Sequence, residues 1–194
     1  MTNRDLILAA VAKNQPEYHE IPKISYQNTI ETETLQSFKQ VLSAIGGSVL
    51  EVKDSAELST LISTYFPGPY RIISTMPSLS AIADTHLSFD FPHDFEDVEV
   101  AILEGHFGVA ENGAVWITED KMGHRILPFI CQHLVLIIHK DQIYDTMQHA
   151  YAQIGTADYG FGTFIAGPSK TADIEQSLVL GAHGPKSLLV LIIS

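Results

Sequence analysis

The stretch Leu134-Val135-Leu136-Ile137-Ile138 sets five apolar side chains in succession with no polar position among them. A strand points alternate side chains to opposite faces, so such a run needs cover on both sides. That predicts a central strand of a parallel sheet, flanked by helices. Leu188-Leu189-Val190-Leu191-Ile192-Ile193 makes the same demand, and both runs are far short of the ~20 residues that span a bilayer. His133 and His139 bracket the first run and mark its ends, where an imidazole can reach water or a backbone carbonyl.

Working outward, the downstream half reads as alternating elements. Asp141 is placed to cap a helix with Ile143, Met147, Ala150 and Ile154 on one face and Gly155 as its stop. A strand at Phe164–Ala166, a turn at Gly167-Pro168, a helix from about Lys170 to Leu180 and the last apolar run follow. Upstream, Leu35, Phe38, Leu42 and Ile45 recur at helical spacing before Gly46-Gly47 and a strand at Val49–Val52. Asp54 and Glu57 form an acidic capping box for a helix whose stripe is Leu58, Leu61, Ile62 and Tyr65. Pro67-Gly68-Pro69 turns the chain into a strand at Arg71–Ser74, and Val98, Val100 and Ile102 alternate as another. Glu111-Asn112-Gly113 is a hairpin-like turn into Ala114–Thr118.

This order predicts an α/β fold, three layers around a mainly parallel sheet with right-handed crossovers, with Leu134–Ile138, Phe164–Ala166 and Leu188–Ile193 in that one sheet. Ahead of it, Thr2 or Asn3 caps a short helix with Ile7, Ala10 and Val11 on one face. Pro16 and Pro22 hold Glu17–Ser25 extended, as an arm lying on the body. The organisation read from the chain is residues 1–27 as helix and arm and residues 28–194 as a single α/β domain.

Composition narrows the function classes. The 194 residues are 45% hydrophobic, enough for a sizeable core, and 23 acidic against 11 basic residues give a net charge of −12. Nucleic acid and anionic membrane would be repelled over most of such a surface. The start shows no secretory pattern and the single cysteine allows no internal disulfide, so the expected location is cytoplasmic. One cysteine cannot by itself hold a cysteine-ligated iron–sulfur centre, and no cofactor is indicated. Nine histidines include no pair at helical i, i+4 spacing, so no metal site is expected. Cys131, in an apolar setting, is expected to pack rather than react.

Two stretches could carry chemistry. At Gly167-Pro168-Ser169-Lys170-Thr171 a strand ends and the expected helix begins, where free N–H groups and the side chains of Ser169, Lys170 and Thr171 could hold a small anion. The same residues serve equally as an ordinary helix cap. The segment is not a P-loop, because Pro168-Ser169 intervene between Gly167 and Lys170-Thr171. His183, in the turn before Gly184-Pro185, could meet the same ligand. Glu111 in its Asn112-Gly113 turn could act as base or nucleophile if a cleft strips its water, although a turn carboxylate is commonly solvated. All of these residues are expected to line one pocket at the carboxyl edge of the sheet, where α/β folds bind ligands.

The run Phe164-Ile165-Ala166-Gly167-Pro168-Ser169-Lys170-Thr171-Ala172-Asp173-Ile174-Glu175, followed by Leu178-Val179-Leu180-Gly181-Ala182-His183-Gly184-Pro185, resembles the C-terminal signature of LUD-domain proteins. Gly108–Trp116 is similar to that family's Glu-[Thr/Asn]-Gly strand motif, and the N-terminal helix and arm resemble the start of its short, C-type lactate-utilisation members. The resemblance implies the fold shared by ribose-phosphate isomerases and CoA transferases. It also implies a cluster-free role beside iron–sulfur partner proteins that oxidise lactate to pyruvate. Ala110-Glu111-Asn112-Gly113 is also similar to the Ser-Glu-Asn-Gly motif of class I CoA transferases, with alanine in place of the serine. This likeness implies an alternative, acyl transfer with Glu111 as nucleophile.

Overall fold

The computed structural model describes residues 2–20, 22, 31–86, 91–172, 178–181 and 183–194. In chain order the helices are α1 (Asn3–Lys13), α2 (Glu31–Ala44), α3 (Leu58–Tyr65), α4 (Glu119–Met122), α5 (Leu127–Ile130) and α6 (Met147–Ile154). The strands are β1 (Ser48–Val52), β2 (Ile72–Ser74), β3 (Val100–Glu104), β4 (Phe107–Val109), β5 (Ala114–Thr118), β6 (His133–His139), β7 (Ile143–Tyr144), β8 (Gly162–Ile165), β9 (Lys170–Ala172), β10 (Leu178–Leu180) and β11 (Ser187–Ile193).

Five strands form a sheet in the order β1-β11-β6-β3-β2, every pairing parallel. The two apolar runs are its central neighbours, β6 and β11, as their lack of a polar face demands. Their side chains divide by parity. Leu134, Leu136, Ile138, Leu188, Val190 and Ile192 meet Leu35, Phe38 and Leu42 of α2 on one face. Val135, Ile137, Leu189 and Leu191 meet Leu58 and Ile62 of α3 on the other. Burying one such side chain is worth about 1.5–3 kcal/mol, so both faces must stay covered.

A second sheet, in the order β7-β4-β5-β8, lies on the α2 side, with Val115 and Ile117 of β5 in the same core as α2. Its other face carries Phe107, Val109 and Trp116 against Ala150 of α6.

Four expectations are corrected. The strand around Phe164 is not in the parallel sheet: β8 runs antiparallel to β5, with Val115 opposite Ile165 and Trp116 opposite Phe164. Its residues are only half buried, as befits the edge of the smaller sheet, whereas a central parallel strand would be covered on both faces. The helix expected from about Lys170 to Leu180 is, in its described residues, an antiparallel pair, with Lys170 opposite Leu180 and Ala172 opposite Leu178. Ser169 N donates to Pro185 O (2.9 Å) and Gly181 N to Ser169 O (3.1 Å), so those backbone groups are spent on neighbouring chain instead of a helix start. Asp173 and Glu175 lie outside the described residues.

Ile143 belongs to β7, which pairs with β4, and the helix begins only at Met147, capped by Thr146 rather than Asp141. At the N-terminus, α1 has its capping box between Thr2 and Asp5, yet none of its residues is buried. Residues 15–20 are likewise exposed, Tyr18 at 87%, so this part of the arm does not lie on the body. The boundary drawn at residues 27 and 28 falls outside the described residues. Among the described residues no helix is long and apolar enough to cross a membrane.

Candidate functional site

Gly167, Ser169, Lys170 and His183 come together in a cleft of about 330 Å³, with Phe129 and Phe164 among its apolar walls. Gly167 (φ 75°) packs its Cα against the carbonyl of Ile45, where a Cβ would come within 3.0 Å of the oxygen. That close approach and the left-handed backbone both call for glycine. Leu134 and Leu188, each the second residue of its strand, also line the cleft. The cleft therefore lies at the amino edge of the parallel sheet and not at the expected carboxyl edge. Its chemistry is a hydroxyl, an ammonium group and an imidazole over an apolar floor, which suits a small anion. Among the described residues, Ser169 and Lys170 do not begin a helix. Thr171 follows in β9.

Glu111, Asn112 and Gly113 are not among the cleft's residues. The Glu111 carboxylate accepts a hydrogen bond from Met147 N (2.7 Å), and Glu111 N donates to Asp145 O (3.0 Å), so the turn caps the start of α6. Asn112 Oδ1 accepts from Ala114 N (3.1 Å) and Gly113 N donates to Val109 O (2.9 Å), which closes the β4–β5 turn. Asp145 also accepts a hydrogen bond from the Thr34 hydroxyl in the first half of α2, whereas Gly167 abuts Ile45 just past its end. Gly113, the last residue of the turn, packs on the Leu42 backbone of the same helix, so the turn and the cleft border α2 at different residues.

The carboxyl edge of the sheet has its own cavity, of about 350 Å³, missed at the level of sequence. His106 enters it two residues past the end of β3, and Gln142 past the end of β6; Thr118, Asp120 and Gln153 add polar groups. Phe107, Trp116 and Tyr159 supply its aromatic wall, with Trp116 and Tyr159 edge-to-face at 5.4 Å between centroids.

The Thr118 hydroxyl donates to Asp120 Oδ1 and shares a second hydrogen bond with His106 Nε2. His106 Nε2 is 3.8 Å from the same carboxylate oxygen. Burial holds the His106 pKa below the ordinary histidine value, Lys121 adds to that effect, and Asp120 and Glu104 oppose it. The hydrogen bond from Thr118 holds Asp120 below the usual carboxylate range. Lys121 is itself paired with Glu104 (2.9 Å). No spacing rule finds this group, since its members come from the end of one strand, the end of another and the helix after it. Among the described residues no three His, Cys, Asp or Glu side chains are grouped to hold a metal ion.

The family model of the LUD domain matches residues 79–193, more than half of the 194-residue chain. The chain belongs to the LUD domain family. The matched part of this LUD domain contains the amino-edge cleft, the Glu111 turn and the carboxyl-edge cavity, and leaves out α1 to β2.

Among its relatives is Lactate utilization protein C of Geobacillus thermodenitrificans (strain NG80-2), 26% identical over 180 residues, which are 87% of this chain and 72% of that protein. Lactate utilization protein C of Oceanobacillus iheyensis is 30% identical over 104 residues, 50% of this chain and 45% of the relative. The LUD domain thus spans less than half of the second relative's length. A crystal structure of a DUF162 family protein from Deinococcus radiodurans superposes with a TM-score of 0.69 at 16% identity, covering 86% of this chain and 100% of that one. At that identity the likeness is one of fold.

Proposed function

We propose that this LUD domain is the cluster-free component of a cytoplasmic lactate-utilisation system. It would work beside iron–sulfur partner proteins that oxidise lactate to pyruvate, and hold a small carboxylate in the cleft of Ser169, Lys170 and His183. The observation that carries the reading is the likeness over 87% of the chain to a Lactate utilization protein C.

Its cysteine chemistry supports a non-redox part. Cys131 is the single cysteine; it is buried, and burial pushes its thiol up to about 12. A thiol in that state is a packing residue, neither nucleophile nor cluster ligand. The amino-edge cleft supports the carboxylate, since Lys170 and His183 bring the donors an anion needs.

The test is genetic and then biochemical. A host lacking the gene should fail to grow on L-lactate as carbon source and recover when the chain is restored, while a Lys170→Ala, His183→Ala double variant restores growth poorly. Tagged chain should retain brown, cluster-bearing proteins from lactate-grown cells. Normal growth of the deletion strain on L-lactate would overturn the role, and lactate-dependent dye reduction by the isolated chain would overturn its non-redox character.

A further inference from the structure

The geometry points to the carboxyl-edge cavity as a binding site for a small, planar, uncharged heterocycle bearing an N–H or O–H donor. His106 would be its hydrogen-bond acceptor, held in one tautomer by Thr118 and Asp120.

The tautomer follows from counting protons. An ionised carboxylate only accepts, so the single hydroxyl proton of Thr118 is committed to Asp120. The Thr118 oxygen is then left with acceptor capacity alone, and His106 Nε2 must donate to it. A neutral imidazole with its proton on Nε2 presents Nδ1 as an acceptor. Thr118 is only 5% exposed, so its hydroxyl cannot easily exchange these partners for water. The charged groups acting on the ring are Asp120 and Glu104 on one side of the balance and Lys121 on the other.

Shape and charge select the ligand. A cavity of about 350 Å³ is near the small end of ligand sites, which suits one ring or a compact pair. Phe107, Trp116 and Tyr159 offer ring edges and faces to a flat apolar surface, while the amides of Gln142 and Gln153 can read polar atoms on its rim. Asp120 and Asp158 are its two carboxylates, and neither Lys nor Arg is among its residues. An anion would meet like charge there. This cavity is therefore a different site, for a different class of molecule, from the anion cleft at the opposite edge of the sheet.

The experiment uses the full chain without partners or lactate, so its outcome is separate from that of the lactate reading. Trp116 is the chain's one tryptophan, and its indole N–H resonance is a unique reporter inside the cavity. Two pairs of matched rings are titrated, nicotinamide against nicotinate and uracil against orotate.

The expected result is saturable movement of the Trp116 resonance by at least one neutral member, with its charged twin binding at least about tenfold more weakly. Long-range proton–nitrogen spectra should show His106 with its proton on Nε2. Thr118→Val, close in shape, should mix the tautomers and weaken the neutral ring at least about fivefold. Asp120→Asn should weaken it as well, and serves if the buried Thr118 variant fails to fold. No saturable shift with either neutral ring, equal binding of the charged twins, or an Nδ1–H tautomer in the wild type would each overturn the proposal.

Discussion

Replacing Gly113 by alanine probes how the β4–β5 turn is seated on α2. Gly113 has φ of 66°, and a Cβ there would lie 2.9 Å from both the Cα and the backbone nitrogen of Leu42. The left-handed backbone alone costs an L residue about 1–2 kcal/mol. The contact adds to this, because helix backbone cannot rotate aside as a flexible side chain can, and overpacking of that kind costs about 1–3 kcal/mol. The sum is about 2–5 kcal/mol, a large share of the ~5–15 kcal/mol that holds a typical domain folded. Gly46→Ala is the matched control: its φ is 94°, but the nearest atom to an added Cβ is Pro168 Cγ at 3.5 Å, an ordinary contact. It should cost the conformational part alone, about 1–2 kcal/mol. Urea unfolding followed by Trp116 fluorescence measures both, with the midpoint shift converted through a common slope. The expected result is that Gly113→Ala loses at least about 1 kcal/mol more than Gly46→Ala. Equal losses would refute the seating of the turn on α2 and leave Gly113 as a conformational glycine only.

With its thiol near 12, Cys131 should be thiolate in only about one molecule in 10⁴ at pH 8, so Ellman's reagent should leave the native chain unlabelled for minutes and label one thiol in denaturant. Rapid native labelling would contradict its burial. His106 and His133 both titrate below the ordinary histidine value, burial being the main cause, so between their folded pKa values and ~6.5 the unfolded chain binds more protons than the folded one. Their contribution to stability is thus present above pH ~6.5 and lost as pH falls below it; melting temperatures that stay level or rise between pH 7.5 and 5.5 would show that the two rings are not held neutral. Glu111→Ala should cost about 1 kcal/mol through the lost cap on Met147 N, with Glu111→Gln costing less because an acceptor is kept. Incubation with acyl-CoAs and then hydroxylamine should leave Glu111 unlabelled in the mass spectrum, and a labelled Glu111 would instead favour acyl transfer.

Burial was legible in the sequence because it is written locally, residue by residue. The apolar runs of β6 and β11 demanded cover on both faces, the Leu35, Phe38 and Leu42 stripe of α2 supplied part of it, and Cys131 packed in the apolar setting its neighbours describe. Hydrogen-bond partnership was not legible, because it depends on which backbone edges remain open once those cores are formed. Ser169 carries the local marks of a helix cap, yet its N–H goes to Pro185 and its carbonyl to Gly181, and the chain continues as the pair β9–β10. Phe164 reads as a strand in either sheet, and only the free edge of β5 decided which one it joined. The same holds for the sites. Gly167, Ser169 and Lys170 are adjacent in the chain and could be found there, but their place at the amino edge follows from the packing of Gly167 on the end of α2. His106 meets Thr118 and Asp120 because β3 and β5 end, and α4 begins, at one edge of the fold, a convergence that sequence spacing does not encode.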